Sequence, residues 1–169
     1  MGGPQPSFFI MAMAIATITT LNFHLSKGYE TNNQMIQQFL EVQNQARKEV
    51  DIPPLKWDPK LATYARAYSN QRRGDCNLVH SSGPFGENIF WGQGNKWSVR
   101  DAVAQWVQEG VNYHHESNLC SSQDCTHYTQ IVWRTTKNVG CAKVICNSGD
   151  TFITCEYYPH GNYAGARPY

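Results

Sequence analysis

The sequence predicts an α+β layered domain, with helices packed on an antiparallel sheet and three disulfides tying it. Three observations carry this. Helical periodicity fills the first two thirds of the chain, strand-forming runs fill the last third, and six cysteines occur in 169 residues. That length suits one domain with a real core and leaves no room for a second.

Taken in order, residues 1–28 read as a signal peptide ahead of a single domain over 29–169. They hold no acidic residue and one basic residue, Lys27. Phe8–Ala16 is an apolar run too short for a membrane span, which needs roughly 20 apolar residues. No Lys or Arg precedes Phe8, so only the terminal amine is positive there. Ser26 and Gly28 supply small residues for cleavage before Tyr29. The spacing of Met35, Ile36, Phe39, Leu40 and Ala46 predicts a helix over Asn32–Val50, and Pro53-Pro54 forbids its continuation. Asp58-Pro59 is an N-cap followed by a first-turn proline, and opens a second helix through Leu61, Ala62, Ala65 and Tyr68. Asn70-Gln71-Arg72-Arg73 reads as its solvated end. Ser98-Val99-Arg100-Asp101 forms a capping box with Asp in place of Glu. The helix it opens carries Val99, Ala102, Val103, Trp106, Gly110 and Tyr113 as one stripe.

Strands are expected at Tyr128–Arg134, Val139–Cys146 and Thr151–Tyr158. In the first, His127, Thr129, Ile131 and Trp133 would share a face, because strand side chains alternate with period two. The other two join at Asn147-Ser148-Gly149-Asp150 as a hairpin. The last segment, 159–169, mixes prolines and glycines without periodicity and reads as an extended tail.

Six cysteines in a secreted chain imply three disulfides out of 15 arrangements. Cys141 and Cys155 are equidistant from Ser148 and can face each other across the hairpin. Cys146 points to the opposite face. Cys76 is its free candidate once Cys120 pairs with nearby Cys125. No C-x-x-C pair exists, which argues against a zinc ribbon. Removing Lys27 leaves 13 basic and 13 acidic residues. Zero net charge argues against a phosphate-neutralising nucleic-acid binder and gives no pull toward anionic membranes. There is no Asn-x-Ser/Thr sequon.

Four residues carry candidate chemistry. Glu109 falls on the apolar stripe of the third helix, where an unpartnered carboxylate costs several kcal/mol, so a partner is expected. His80 and Glu87 bracket the Gly-Pro turn 81–86, and His127 opens the first expected strand. Two histidines and a carboxylate can hold Zn²⁺ with an open position. A Glu–His pair can also move protons, and a satisfied polar cluster can simply fix loops. No H-E-x-x-H helix or G-x-S-x-G elbow accompanies them. His114, His115 and Glu116 read as solvated. Phe90, Trp91 and Trp97 flank the glycine loop 92–96; they either anchor it or line an apolar groove.

The stretch His127-Tyr128-Thr129-Gln130-Ile131-Val132-Trp133-Arg134 resembles the signature of the plant pathogenesis-related protein 1 family. That family lies within the superfamily of cysteine-rich secretory proteins, antigen 5 and pathogenesis-related proteins. Asn44-Gln45-Ala46-Arg47, Phe85-Gly86-Glu87-Asn88 and Tyr158–Tyr163 extend the match, so it covers essentially everything after residue 30. The resemblance implies a three-layer α-β-α sandwich and supports the pairing Cys76–Cys146, Cys120–Cys125 and Cys141–Cys155. It makes His80, Glu87, Glu109 and His127 the tetrad lining the central cleft. It further implies a secreted, extracellular (apoplastic) or vacuolar monomer that defends a plant by binding microbial sterols or related lipids. Phe90, Trp91 and Trp97 would be the lipid wall, no cofactor would be required, and Zn²⁺ would be the ion for the tetrad. A metal-assisted hydrolase and a precursor of a C-terminal defence peptide are the alternatives. Two positions depart from the family pattern: Glu156, where Asn is usual, and Gln43, where His is common.

Overall fold

Local capping signals become helices where they were expected. The computed structural model describes residues 32–169, so the leader, His24 and the cleavage site before Tyr29 lie outside the described residues. Helix α1 occupies 32–49 and buries Phe39, Gln43, Ala46 and Arg47, a stripe at i, i+4, i+7 and i+8. Two-residue strand β1, Lys56–Trp57, follows the prolines. Helix α2, Pro59–Arg72, starts at Asp58, whose Oδ1 accepts from the Lys60 amide at 2.7 Å. Helix α3, Val99–Gln108, carries the full Ser98/Asp101 capping box.

Strands β5, Asn138–Ile145, and β6, Thr151–Tyr158, form the expected hairpin, with Cys141 directly opposite Cys155. The sheet contains more than was expected. Gly86–Gly92 is strand β2, antiparallel to β6 at the sheet edge, and β1 joins β5 in parallel, giving the order β1-β5-β6-β2. The sheet is therefore mixed rather than purely antiparallel. A two-residue parallel pairing offers no periodicity to read, and β2 is masked by its glycines.

Side-chain alternation along β6 separates the layers. Phe152 and Thr154 face α2, where Phe152 meets Tyr68 edge-on at 6.5 Å and Thr154 Oγ1 accepts from Ser69 at 3.2 Å. Tyr157 faces the other way and donates to Gln43 of α1 at 2.8 Å. Helix α2 can lie close because Gly140 stands beneath it: a Cβ there would fall 2.1 Å from the Ala62 nitrogen. With α1 and α3 on the opposite face, this is the three-layer sandwich.

The expected strand at Tyr128–Arg134 is absent. Thr126–Ile131 is instead a short helix, α4, and Tyr128 and residues 130–133 are all buried rather than alternating. Three amides of its first turn find carboxylate acceptors: Asp124 for Thr126 at 2.7 Å, and Glu109 for His127 and Tyr128 at 3.1 Å each. Satisfied first-turn donors favour the helix, and Glu109 comes from a distant element. The third helix is also shorter than expected. It gives way at Glu109–Asn112 to a 3₁₀ turn and then to strand β3, Tyr113–His114, paired with β4, Leu119–Cys120. Gly110 sits against the Tyr128 ring, where a Cβ would approach to 2.7 Å.

The three disulfides join Cys76–Cys146, Cys120–Cys125 and Cys141–Cys155. The tail is docked along the α4 side. Gly161 donates to Gln130 Oε1 at 2.9 Å, the Arg134 amide to the Pro168 carbonyl at 2.6 Å, and Asn118 to the Ala166 carbonyl at 3.2 Å. His115, expected to be solvated, stacks on Tyr169 at 4.4 Å and hydrogen-bonds its carbonyl. No helix among the described residues is long and apolar enough to cross a membrane.

Candidate functional site

The four candidate residues form two His–Glu pairs, one at the edge strand and one between α3 and α4. His80, in the loop after α2, donates from Nδ1 to Oε1 of Glu87 on β2 at 2.6 Å, and the Ser81 amide donates to the same oxygen at 2.9 Å. His127 on α4 donates from Nδ1 to Oε1 of Glu109 at 2.6 Å. Its ring stacks on Trp106 of α3 with centroids 5.8 Å apart. His80, Glu87 and His127 line one cavity of about 290 Å³ along the β2 edge, while Glu109 stands behind His127. The carboxylate expected on the stripe of the third helix thus has its partners: one imidazole and two amides.

The two pairs differ electrostatically. The His80 side chain is 62% exposed and its Glu87 partner 6%. The hydrogen bond that His80 donates to Glu87 raises the His80 pKa above its ordinary value, outweighing partial burial. Burial pushes Glu87 up, but His80 and the Ser81 amide outweigh it and hold the carboxyl below the usual range.

Three residues absent from the sequence-based set shape the cleft. Asp124 lines it beside both imidazoles, and its negative charge helps to raise the His80 pKa. Asn88 of β2 donates to the His127 carbonyl at 3.1 Å and to the Tyr157 hydroxyl at 3.3 Å. Tyr157 in turn donates to Gln43, whose amide is held by the Phe39 carbonyl at 3.0 Å. Gln43, noted from sequence only as a departure, therefore belongs to a buried chain that fixes α4 from below. Glu156 is the third. It is fully buried in register with Glu87, and neither of its oxygens, nor Oε2 of Glu87, has another hydrogen-bond partner among the described residues. Asn88 was legible only as part of the matched stretch Phe85–Asn88, and Asp124 only as an ordinary polar residue, because nothing local marks their roles.

Each imidazole has spent Nδ1 on a carboxylate, so Nε2 is what remains for another ligand. A carboxylate behind a histidine is the usual orienting arrangement at metal sites. The described residues hold no set of three His, Cys, Asp or Glu side chains spaced to enclose a cation. Two imidazole nitrogens fall short of a three-ligand centre.

The three aromatics of the expected lipid wall separate. Phe90 is buried and meets Trp97 edge-on at 5.1 Å; Trp97 also donates to the Gln93 carbonyl at 3.1 Å, which anchors the loop. Trp91 points away from them and is 43% exposed. It lines a pocket of about 360 Å³ with Leu78, Asn77, Asp150 and the Cys76 end of a disulfide.

The family model described as the cysteine-rich secretory protein family (CAP) matches residues 40–157. The chain is 47% identical to the pathogenesis-related protein PR-1 of Medicago truncatula, over 95% of this chain and 97% of that one. It is 50% identical to a pathogenesis-related protein 1 of Arabidopsis thaliana, over 79% and 81%. Among solved structures, Na-ASP-1 superposes with a TM-score of 0.67 at 26% identity; the match covers 80% of this chain and 41% of that longer one.

Proposed function

Because this chain belongs to the cysteine-rich secretory protein family, with plant pathogenesis-related 1 proteins as its relatives, we propose that it is a secreted plant defence protein. In this reading it acts as a monomer, outside the cell or in the vacuole, by binding a sterol or related apolar lipid of an invading microbe. One observation carries the reading: Leu78 and Trp91, both large apolar side chains exposed to water, line one pocket together. Apolar area held in water is recovered when an apolar ligand covers it. Asn77 and Asp150 at the rim would meet a single hydroxyl. The two His–Glu pairs favour binding over hydrolysis, since among the described residues neither imidazole is hydrogen-bonded to a hydroxyl or thiol nucleophile. The docked tail favours a structural strap over a releasable peptide.

The test is lipid affinity and melting temperature measured together. Trp91→Ala is expected to weaken sterol binding by roughly tenfold, the worth of part of one aromatic side chain, with little change in melting. Glu109→Gln is expected to leave lipid binding intact. If Glu109→Gln abolished lipid binding at unchanged stability, the ligand would belong in the cleft and this reading would fail.

Within the cleft, His80 and His127 would hold a divalent ion loosely through their Nε2 atoms, with Glu87 and Glu109 orienting the rings. A bound Zn²⁺ would supply a positive charge that the imidazole lone pairs and the carboxylates behind them compensate. Protons compete with the ion for those nitrogens. Because Glu87 raises the His80 pKa, competition should begin above the ordinary histidine value and strengthen as pH falls. Calorimetry with Zn²⁺ should show binding that fades on acidification and is absent in His127→Ala. Identical traces for wild type and variant would remove the ion from this site.

A further inference from the structure

The three disulfides differ in access. Cys76, Cys146, Cys141 and Cys155 are all buried, whereas Cys120 stands exposed at the end of β4 with its partner Cys125 beneath it. These two are five residues apart, against separations of 70 and 14 for the others. Closing so short a loop restricts the unfolded chain least. A small entropic hold and an exposed sulfur are the marks of a reducible bond. Ser122 Oγ lies 3.2 Å from Cys120 Sγ, within reach of a thiolate that forms there.

What this bond ties together is the wall of the cleft. It joins β4 to Cys125, the residue immediately before α4. The loop it closes carries Asp124, which lines the cavity and accepts from the Thr126 amide. Two residues on, His127 depends on Glu109 for both its ring and its amide. Cys125 Sγ itself lies 3.6 Å from the Glu109 carbonyl. The sheet and α2 are held independently by the two buried bonds.

We propose that Cys120–Cys125 is a thiol-exchange site, opened by a small thiol or dithiol reductant, and that its opening loosens the Asp124–His127 wall while the sheet stays folded. A reductant thiolate attacks Cys120 Sγ, the accessible sulfur. The disulfide bond breaks, Cys125 leaves as a thiolate and takes up a proton, and a mixed disulfide remains on Cys120. A second thiol of the reductant then attacks that mixed disulfide. The reductant becomes a disulfide and Cys120 a thiol, so two electrons pass from the dithiol to the cystine.

The folded protein should be equilibrated without denaturant in dithiothreitol buffers of graded reducing strength. Free thiols are then alkylated and mapped by peptide mass. Cys120 and Cys125 should label at a poise that leaves the other four protected. Simultaneous labelling of all six, or earlier labelling of Cys76 and Cys146, overturns the selectivity. Hydrogen exchange on the selectively reduced protein, and on the Cys120→Ser/Cys125→Ser variant, reads the coupling. The amides of His127 and Tyr128 should exchange at least roughly tenfold faster, with β5 and β6 unchanged. Unaltered protection at His127 and Tyr128 in the reduced protein would overturn the link to the cleft.

Discussion

Arg47→Met should lower the unfolding free energy by about 3–5 kcal/mol, because it strands several buried carbonyls at about 1–3 kcal/mol each. The side chain is 1% exposed, and its guanidinium donates to four carbonyls: Pro53 at 2.7 Å, Ile131 at 2.7 Å, Trp133 at 2.9 Å and Thr136 at 3.0 Å. Two of these acceptors lie at and just beyond the end of α4, where helix carbonyls lack intrahelical partners. Burial lowers the Arg47 pKa to about 10, so the group remains charged at neutral pH. Methionine would fill much of the volume yet take the guanidinium away from all four carbonyls, of which Trp133 keeps a second donor in the Thr136 amide at 3.1 Å. Arg47→Lys should recover only part of the loss, because an ammonium cannot spread three nitrogens in one plane. Melting temperature should drop by on the order of 10 °C. A loss below about 1 kcal/mol in denaturant titrations would mean that water replaces the guanidinium at little cost.

Glu156→Gln should act in the opposite direction, stabilising the protein at neutral and alkaline pH. Glu156 and Glu87 are cross-strand partners with three oxygens that have no donor but each other's proton. Two adjacent buried carboxyls cannot both ionise, so one keeps its proton. Burial, then the Glu87 hydrogen bond and charge, push Glu156 up to about 9 from an ordinary 4.5, while Glu87 stays low. The folded state therefore holds a proton that the unfolded chain releases above about pH 4.5. The contribution of Glu156 is fully present below that value and is lost progressively as pH rises toward about 9. The linkage amounts to on the order of 3 kcal/mol at pH 7, and the lowered Glu87 offsets part of it. Glutamine carries its own donor for Glu87 Oε2 and has nothing to ionise. Unfolding free energies between pH 4 and 8 should converge at the acid end and diverge by about 1–3 kcal/mol near pH 7.5. Parallel curves for wild type and Glu156→Gln would falsify the shared proton.

These two residues show where reading the sequence stops. Arg47 stood out only as part of a resemblance, and Glu156 only as a departure from it; neither position announces four carbonyls or a carboxyl partner. The starts of α2 and α3 were legible because a cap acts within three residues of itself: Asp58 serves Lys60, and Ser98 serves Asp101. The β5–β6 hairpin was legible because a short connection centred on Ser148 sets the register that puts Cys141 opposite Cys155. His80, Glu87, Glu109 and His127 were marked by residue type and place, Glu109 most clearly by its position on an apolar stripe, and the resemblance grouped them as one cleft.

What sequence by itself determined was the set of structures whose causes are local: caps, turns, helical stripes and the alternation of a hairpin. Tertiary structure decided the rest. HYTQIVW alternates well enough for a strand and becomes α4 because Glu109, 18 residues upstream, supplies the acceptor for its first-turn amides. The β2 edge, the parallel β1 pairing and the arrival of Asp124 in the cleft likewise depend on partners far away in the chain. The stabilising atom in each case belongs to another element, and no window of neighbouring residues contains it.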